Sequence, residues 1–278
     1  MILFPNAKIN LGLNICRKRP DGYHDIESVM APIGWCDVLE IVPAPAGDPT
    51  TLAISGRPVD CPVEKNLVMK AYNAMALRYP HMPHASIHLR KIIPDGAGLG
   101  GGSADGAFTL IGLNSVFGLG ASDHELAGIA ATLGADCPFF IYNRPMLATG
   151  TGTTLTPFSI SFNGLFIAVA KPEGASVSTA AAYAGVRPAV AAPPVAEAAA
   201  MPIDRWQDVL HNDFEATVGA AVPQVLELKE HFRRCGAAYA SMSGSGSAVF
   251  GLFTTAKMAE AAIEGLDACA CFCGAMPQ

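Results

Sequence analysis

The sequence predicts an α+β protein of two domains. Up to about residue 152, strand-like alternation and helix-like periodicity follow one another around a lysine-bearing strand and a glycine-rich loop. From about residue 153 the pattern begins again with the apolar segment 166–170 and ends in further helix and strand patterns. A chain of 278 residues that is 51% hydrophobic can bury a large core, and this length suits one or two domains. We therefore expect an N-terminal domain at 1–152 and a C-terminal domain at 153–278.

The first informative strand covers residues 7–15. Apolar residues occupy positions 9, 11, 13 and 15, so Lys8, Asn10 and Asn14 share the opposite face. Lys8 and Asn10 would lie roughly 7 Å apart, because alternate residues of a strand point to one side. A cation and an amide that point together make this strand a candidate for ligand chemistry. The alternative is a half-exposed edge strand with a solvated lysine.

A glycine-rich loop follows a strand in which Ile87 and Leu89 alternate with polar residues. The loop contains Pro94, Asp95, Gly96, Ala97, Gly98, Leu99, Gly100, Gly101, Gly102, Ser103 and Ala104. Its five glycines allow positive φ and let backbone N–H groups approach a ligand. Apolar residues between 107 and 111 then fit one helix face, so the loop delivers a helix N-terminus with its partial positive charge. This context predicts a phosphate site; a flexible surface linker is the alternative.

The residues after the glycines narrow the type of phosphate loop. A Walker loop requires a lysine after its last glycine, but Ser103 and Ala104 follow Gly102. Three of the glycines match a dinucleotide fingerprint, yet that motif also needs an acidic residue at the end of a second strand about 20 residues later. The nearest acidic residues lie in 122–125, which predicts a capping box for the next helix.

Asp136 is a further candidate for chemistry. A helix from Asp123 to about Leu133 is expected to stop at Gly134, and Asp136 then leads into the apolar segment 137–142. A carboxylate at such a junction either caps the local structure or is held for chemistry.

Two segments of small residues lie in the C-terminal half. Residues 241–247 form a serine- and glycine-rich loop before the strand-like segment 248–253, which alone is compatible with a tight turn. Alanines and prolines dominate 180–202, a composition that predicts a mobile surface excursion.

Charge, hydropathy and cysteine content restrict the function classes. A net charge of −6 argues against a nucleic-acid surface. The longest apolar stretch, 165–170, is too short to span a membrane, and no basic signal region is evident, so we expect a cytoplasmic enzyme. Of the eight cysteines, Cys269, Cys271 and Cys273 alternate in a strand-like segment, where packing is expected rather than a metal site.

Taken in order, these motifs resemble the galactokinase, homoserine kinase, mevalonate kinase and phosphomevalonate kinase (GHMP kinase) superfamily. The match spans nearly the whole chain and rests on segments 7–11, 19–24, 93–105, 133–140 and 243–246. The resemblance is strongest to members that phosphorylate a cytidyl alcohol for isoprenoid synthesis by the non-mevalonate (MEP) pathway. It implies a two-domain GHMP kinase fold, with a ribosomal-S5-domain-2-like N-terminal domain and a ferredoxin-like C-terminal domain.

The resemblance also implies roles for individual residues. Lys8 and Asp136 match the catalytic pair, and the N-terminal domain would bind ATP through Pro94 to Ala104 together with Asn66 and Lys91. The implied substrate-binding residues are Asn10, Tyr23, His24, Thr179 and Tyr183, the last two in the C-terminal domain. A C-terminal glycine loop comprises Ser243, Gly244, Ser245 and Gly246. Asn66 is equally suited to cap the helix that comes after it.

The cofactor and the partners are implied by the same resemblance. ATP would be the phosphoryl donor and Mg²⁺ is expected, with Ser103 as a phosphate or metal contact and no acidic metal ligand assigned. The partners would be the small cytidyl substrate and ATP, with neither nucleic acid nor membrane, for a monomer or weak homodimer. Two alternatives stay open: a sibling kinase acting on another small alcohol, and a nonenzymatic nucleotide sensor.

Overall fold

The computed structural model describes residues 1–277. In this range the strands are β1 (Ile2–Leu3), β2 (Asn6–Lys18), β3 (His24–Cys36), β4 (Val38–Pro43), β5 (Thr51–Gly56), β6 (Ala85–Lys91), β7 (Met146–Gly150), β8 (Thr154–Pro157), β9 (Phe166–Pro172), β10 (Tyr239–Met242), β11 (Val249–Phe253) and β12 (Cys269–Ala275). The helices are α1 (Leu67–Arg78), α2 (Gly101–Val116), α3 (Asp123–Leu133), α4 (Cys137–Tyr142), α5 (Thr179–Ala184), α6 (Val195–Ala199), α7 (Ile203–Val209), α8 (Glu215–Ala221), α9 (Gln224–Arg234) and α10 (Ala256–Ile263). A short 3₁₀ helix covers Val63–Lys65. The predicted α+β class is confirmed.

The chain folds into two compact units. The first unit consists of Met1–Ala7, Cys36–Asp95 and Gly100–Arg144. The second unit consists of Lys8–Trp35, Gly96–Leu99 and the chain from Pro145 onwards. The backbone therefore changes unit twice within the glycine loop. The predicted domain boundary at 152/153 stays a prediction.

The first unit is a four-stranded sheet with helices packed on it. Its strand order is β1-β4-β6-β5, with β5 parallel to β6 and the other pairs antiparallel. Strand β6 shows the expected alternation, since Ile87 and Leu89 are buried while His88 and Arg90 are exposed. Helix α2 lies close to the sheet, because a β-carbon at Gly112 would come within 2.6 Å of an Ile41 side-chain atom.

The second unit contains a ferredoxin-like arrangement between residues 166 and 275. In chain order β9, α9, β10, β11, α10 and β12 give the βαββαβ sequence of elements, and the antiparallel sheet has the order β10-β11-β9-β12. The ferredoxin-like prediction for the C-terminal part is confirmed. The core of this unit includes Val249 and Phe253 from β11 and Phe232 from α9.

A second sheet of the same unit carries the lysine strand. Its order is β2-β3-β7-β8, so β2 is an edge strand. The strand is nevertheless covered: residues 6–15 are buried, and the Leu13 amide donates to the carbonyl of His211 at 2.8 Å. The alternative of a solvated lysine on a half-exposed edge is therefore wrong, since Lys8 is 3% exposed.

Three local elements of the structure bear on predictions made from the sequence pattern. Ser122 and Glu125 form the predicted capping box of α3, and Cys269–Ala275 is the predicted terminal strand. The helix does stop before Gly134, but that residue has an extended φ of 175° and not the left-handed conformation of a typical C′ glycine. The segment 180–202 is more than a surface excursion, because it contains most of α5 and all of α6 and buries Val195 and Ala198 in the second unit.

Candidate active site

Lys8 and Asn10 lie side by side on β2 in the second unit. Lys8 Nζ donates to Asn10 Oδ1 at 2.6 Å, and Asn10 Nδ2 donates to Ser28 Oγ at 2.8 Å. Ser28 Oγ in turn donates to the Gly12 carbonyl at 2.6 Å, and all three polar side chains are buried. The prediction that Lys8 and Asn10 share one face is confirmed. This relay orients the Lys8 ammonium group, because each hydrogen bond restrains the next side chain.

The loop Ser243–Gly246, here called the second glycine loop, lies against part of the first one. Ser243 Oγ donates to the Gly98 carbonyl at 2.9 Å. A β-carbon at Gly98 would lie 2.0 Å from the Ser243 carbonyl oxygen, so only glycine permits this approach of two backbones. The Lys8 amide donates to the Leu99 carbonyl at 2.9 Å. The second unit therefore joins the lysine strand, residues 96–99 and the second glycine loop by hydrogen bonds.

The remainder of the first glycine loop starts helix α2 in the first unit. Gly100 is the N-cap with a φ of 72°, whereas Gly101 and Gly102 already belong to the helix. The expectation of positive φ is confirmed for Gly96, Gly98 and Gly100. It is wrong for Gly101 and Gly102, because the first helical turn begins earlier than the glycine pattern indicates.

The first turn of α2 has the features of an anion site. The N-cap residue Gly100 has no side chain that could cap the helix, and the first N–H groups of a helix have no intrahelical partner. These groups and the helix dipole favour a negatively charged ligand. A β-carbon at Gly102 would meet no described atom within 4 Å, so space is open beside this turn.

Asp136 is the N-cap residue of α4 in the first unit. It thus occupies the capping position that the sequence allows, but its side chain makes no capping hydrogen bond to the helix. The next residue, Cys137, is buried, and its thiol interacts with the Ser103 side chain in the first turn of α2. Burial raises the pKa of the Cys137 thiol to about 11, which keeps it protonated and unreactive at neutral pH. Asp136 is thus one residue from a contact with the start of α2.

Lys91 lies in a buried ion cluster of the first unit. Its Nζ donates to Asp37 Oδ2 at 2.5 Å and to Asp105 Oδ2 at 2.7 Å. Asp37 Oδ1 also accepts from the Ile93 amide at 2.8 Å. Burial alone would lower the pKa of Lys91, but the two carboxylates outweigh it and raise that pKa. The cluster connects the entry of the first glycine loop, at Ile93, to helix α2, which carries Asp105.

Burial raises the pKa of Asp105 to about 8. The negative charge of Asp37 also raises it, whereas the positive charge of Lys91 lowers it.

Asn66 is the N-cap of α1, where its side chain accepts a hydrogen bond from the Val68 amide at 2.9 Å. The capping alternative for Asn66 is confirmed. Nucleotide contacts of Asn66 and Lys91 stay predictions beside these structural roles.

A cavity of about 570 Å³ in the second unit, here called the Tyr23 cavity, contains four of the five predicted substrate-binding residues. Its lining residues include Tyr23, His24, Thr179 and Tyr183, together with Lys18 and Thr151. The rings of His24 and Tyr183 are stacked with centroids 4.8 Å apart and an interplanar angle of 21°. Tyr23 is 67% exposed, so its ring face is available to a ligand.

The Tyr23 cavity also has a connection to the second glycine loop. Thr179 Oγ1 lies 3.3 Å from Ser245 Oγ, within hydrogen-bond distance. Asn10 does not line the cavity and instead supports Lys8. The pairing of Lys8 with Asp136 stays a prediction, since Lys8 belongs to one unit and Asp136 to the other.

Sequence reasoning missed several polar residues that shape these sites. Asp37, Asp105, Ser28 and Asn212 are buried and hydrogen-bonded around the glycine loops or Lys8. Asp105 closes the glycine motif in the sequence, and that position was a usable signal. The other three lie far from the motifs they support, and no spacing rule connects them.

Comparison with known proteins identifies the class of molecule that has this geometry. The family model described as GHMP kinases N terminal domain matches residues 66–144, and the model described as GHMP kinases C terminal matches residues 196–270. The chain belongs to the GHMP kinase family, as its motifs and its close relatives both show.

Two relatives and one crystal structure show which members of the family this chain is similar to. A protein of Parabacteroides distasonis named 4-diphosphocytidyl-2-C-methyl-D-erythritol kinase is 51% identical, and the alignment covers 91% of this chain and 92% of the relative. A protein of the same name from Bacteroides fragilis is 44% identical over 98% of both chains. A crystal structure of 4-(cytidine 5'-diphospho)-2C-methyl-D-erythritol kinase matches with a TM-score of 0.81 at 31% identity, covering 99% of this chain and 98% of its own. The predicted GHMP kinase fold is confirmed.

The described part of the chain contains neither a ready-made metal cluster nor a membrane-spanning helix. In the range 1–277, no group of three or more His, Cys, Asp or Glu side chains is placed to hold a metal ion. None of the helices in that range is long and apolar enough to cross a membrane.

Proposed function

We propose that this protein is an ATP-dependent kinase that phosphorylates the 2-hydroxyl group of 4-diphosphocytidyl-2-C-methyl-D-erythritol, in the MEP route to isoprenoid precursors. The observation that carries the proposal is the Tyr23 cavity, in a chain whose relatives carry the name of that kinase. A cytosine ring is flat and has a polar edge. The exposed face of Tyr23 suits stacking on such a base, and His24 offers a ring nitrogen to its edge.

ATP would bind with its phosphates at the first turn of α2. The uncapped N–H groups there are donors for phosphate oxygens, and the open space beside Gly102 leaves room for them. Since the net charge of the chain is −6, local dipoles and not a broad positive field must hold the nucleotide.

The chemical step is assigned to Lys8 and Asp136. Asp136 accepts the proton of the substrate hydroxyl as its oxygen forms a bond to the γ-phosphorus of ATP. The bond between that phosphorus and the β–γ bridging oxygen breaks, and ADP leaves with that oxygen. Lys8, held in place by Asn10, stabilises negative charge on the transferring group. No covalent enzyme intermediate is needed.

Mg²⁺ is part of this proposal. The cation commonly keeps several waters and takes one or two protein oxygens in addition to phosphate oxygens. The Ser103 hydroxyl, in the first turn of α2 beside Cys137, could supply one such oxygen. When bound, the metal would neutralise phosphate charge.

We further propose that the enzyme works in the cytoplasm, where ATP is supplied, as a monomer or weak homodimer. Its partners would then be ATP and the cytidyl substrate alone, without nucleic acid or membrane.

The decisive experiment measures ADP release by the purified protein. We expect ADP and a 2-phosphate product with 4-diphosphocytidyl-2-C-methyl-D-erythritol, and little turnover with homoserine or mevalonate. Preference for one of those alcohols would identify a sibling kinase instead. ATP binding without turnover of any of the three alcohols would favour the nucleotide sensor.

A further inference from the structure

The buried side chain of Asn212 holds the second glycine loop. Asn212 Nδ2 donates to the carbonyls of Met242 at 2.8 Å and Gly244 at 2.9 Å. Its Oδ1 accepts from the Phe214 amide at 3.0 Å, and the residue is 4% exposed. An asparagine side chain offers two N–H donors and one carbonyl acceptor, so each of these groups has a buried partner.

The backbone around Asn212 is attached to the lysine strand. The Leu13 amide of β2 donates to the His211 carbonyl at 2.8 Å, and the Asp213 amide donates back to the Leu13 carbonyl at 2.9 Å. Asn212 is therefore fixed to β2 through its neighbours in the chain and to the second glycine loop through its side chain. All of these groups belong to the second unit.

The loop residue held by Asn212 lies beside Lys8. Gly244 has a φ of 54°, and a β-carbon at this position would lie 3.3 Å from Lys8 Nζ and 2.9 Å from the Gly98 carbonyl oxygen. Gly244 therefore packs between the Lys8 ammonium and the first glycine loop. A displacement of its backbone would shift the surroundings of the Lys8 ammonium.

We propose that Asn212 is a positioning residue for phosphoryl transfer, which fixes Gly244 and thereby the place of the Lys8 ammonium. It touches neither ligand in this role and acts through the two carbonyls that it binds. The effect on turnover rests on the proposed function, whereas the effect on loop structure does not.

The test replaces one atom. Asn212→Asp keeps the shape and the acceptor but removes both donors, and it turns a carboxylate oxygen towards two carbonyl oxygens. At temperatures below the unfolding transition, we expect kcat to fall at least about 10-fold. A displacement of a reacting group by about 1 Å can lower the rate about 100-fold. The Kd of the cytidyl substrate, measured by calorimetry, should change less than about threefold, because the residues that line the Tyr23 cavity lie outside the second glycine loop.

Asn114→Asp is the matched control. Asn114 Nδ2 donates to the Ala121 carbonyl and its Oδ1 accepts from the Ala121 amide, both at 2.9 Å, so it also joins two segments through its amide. This variant should lose stability and keep its kcat. If Asn212→Asp does not fold, Asn212→Ser, which retains one donor, takes its place with an intermediate loss of kcat expected.

Amide hydrogen exchange gives a readout that needs no substrate. The Gly246 amide donates to the Ser243 carbonyl at 3.0 Å, and the Ser243 amide donates to the Ala248 carbonyl at 2.9 Å. Both amides should exchange faster in the Asn212 variant than in the wild type, whereas their exchange rates should be unchanged in Asn114→Asp. Wild-type kcat with wild-type exchange, or equal loss of kcat in the control, would overturn the inference. Failure of the wild type to phosphorylate the cytidyl alcohol would instead count against the proposed function, with the exchange rates still deciding the role of Asn212.

Discussion

The first glycine loop and the Tyr23 cavity are constructed in opposite ways. The loop is a backbone structure: Gly98 allows contact with the backbone of Ser243, and the ion cluster around Lys91 fixes both sides of the segment. The cavity is a side-chain structure, with an exposed Tyr23 ring and a stacked His24 and Tyr183 pair. At a site made of backbone groups, almost any added side chain blocks the ligand. At a site made of side chains, each substitution removes only the contact of the residue that is replaced. Substitutions in the two regions should therefore affect different ligands and differ in severity.

The largest effect is expected at Asp136, to which we assign a role in the chemical step and not in the affinity for either ligand. Asp136→Asn should fold, bind ATP, and lose at least about 100-fold in kcat, the usual scale for loss of a general base. Turnover is measured by ADP release and ATP binding by calorimetry. The control is Asp123→Asn, an exposed aspartate in the first turn of α3. Near-normal turnover of Asp136→Asn would remove Asp136 from the chemical step.

The next effect concerns the backbone site. Gly102→Val places a branched side chain in the open space beside the first turn of α2, where we propose that phosphates bind. The Kd of ATP should rise about 10- to 100-fold, because hydrogen bonds to a charged group are worth about 1.5–3 kcal/mol. The Kd of the cytidyl substrate should stay nearly constant.

Gly128→Val in α3 is the matched control for the loop, since a β-carbon at Gly128 also meets no described atom within 4 Å. Its ATP affinity should equal that of the wild type. Equal weakening of ATP and cytidyl binding in Gly102→Val would mean a general disturbance and not a phosphate site. Gly101 is a poorer choice for this test, because a β-carbon there would lie 3.0 Å from an Ile93 side-chain atom.

A smaller, selective effect is expected in the cavity. Tyr23→Ala should cost about 1–3 kcal/mol of cytidyl-substrate binding, the range for loss of a base–aromatic stack. ATP affinity should hardly move. Tyr23→Phe keeps the ring face and should bind both ligands normally. Calorimetry on the two variants decides the point: unchanged cytidyl binding in a folded Tyr23→Ala would remove Tyr23 from the substrate site.

The same contrast explains what the sequence could and could not predict. The lysine strand, helix α2 and the capping box at Ser122 were predictable, because each depends on residues close together in the chain. The helical conformation of Gly101 was not, since glycine allows both conformations and tertiary packing chooses between them.

The supporting residues of the site were harder to predict. Asp37 lies 54 positions from Lys91 along the chain, and Asn212 lies 32 positions from Gly244. Such contacts depend on how strands and loops meet in space, and no local pattern records them. The residues of the Tyr23 cavity, drawn from separate segments, were grouped only through the resemblance to GHMP kinases.

The smallest effect should appear in the ion cluster that supports the first glycine loop. Burial in the folded protein raises the pKa of Asp105 to about 8, whereas the pKa of an unfolded aspartate is about 3.9. Between these values the folded chain holds a proton that the unfolded chain has released, so this group makes the protein less stable as pH rises through that window. Asp105→Asn cannot titrate and keeps an acceptor for Lys91. We therefore expect the difference between the Tm of the variant and the Tm of the wild type to increase by a few degrees between pH 5 and pH 9.

Thermal unfolding followed by circular dichroism measures Tm against pH for both proteins. Parallel plots of Tm against pH over this range would show that Asp105 is already ionised at pH 5. The Tyr23 variants, which leave this cluster intact, should follow the wild-type pH dependence, and this would place the effect in the backbone site and not in the cavity.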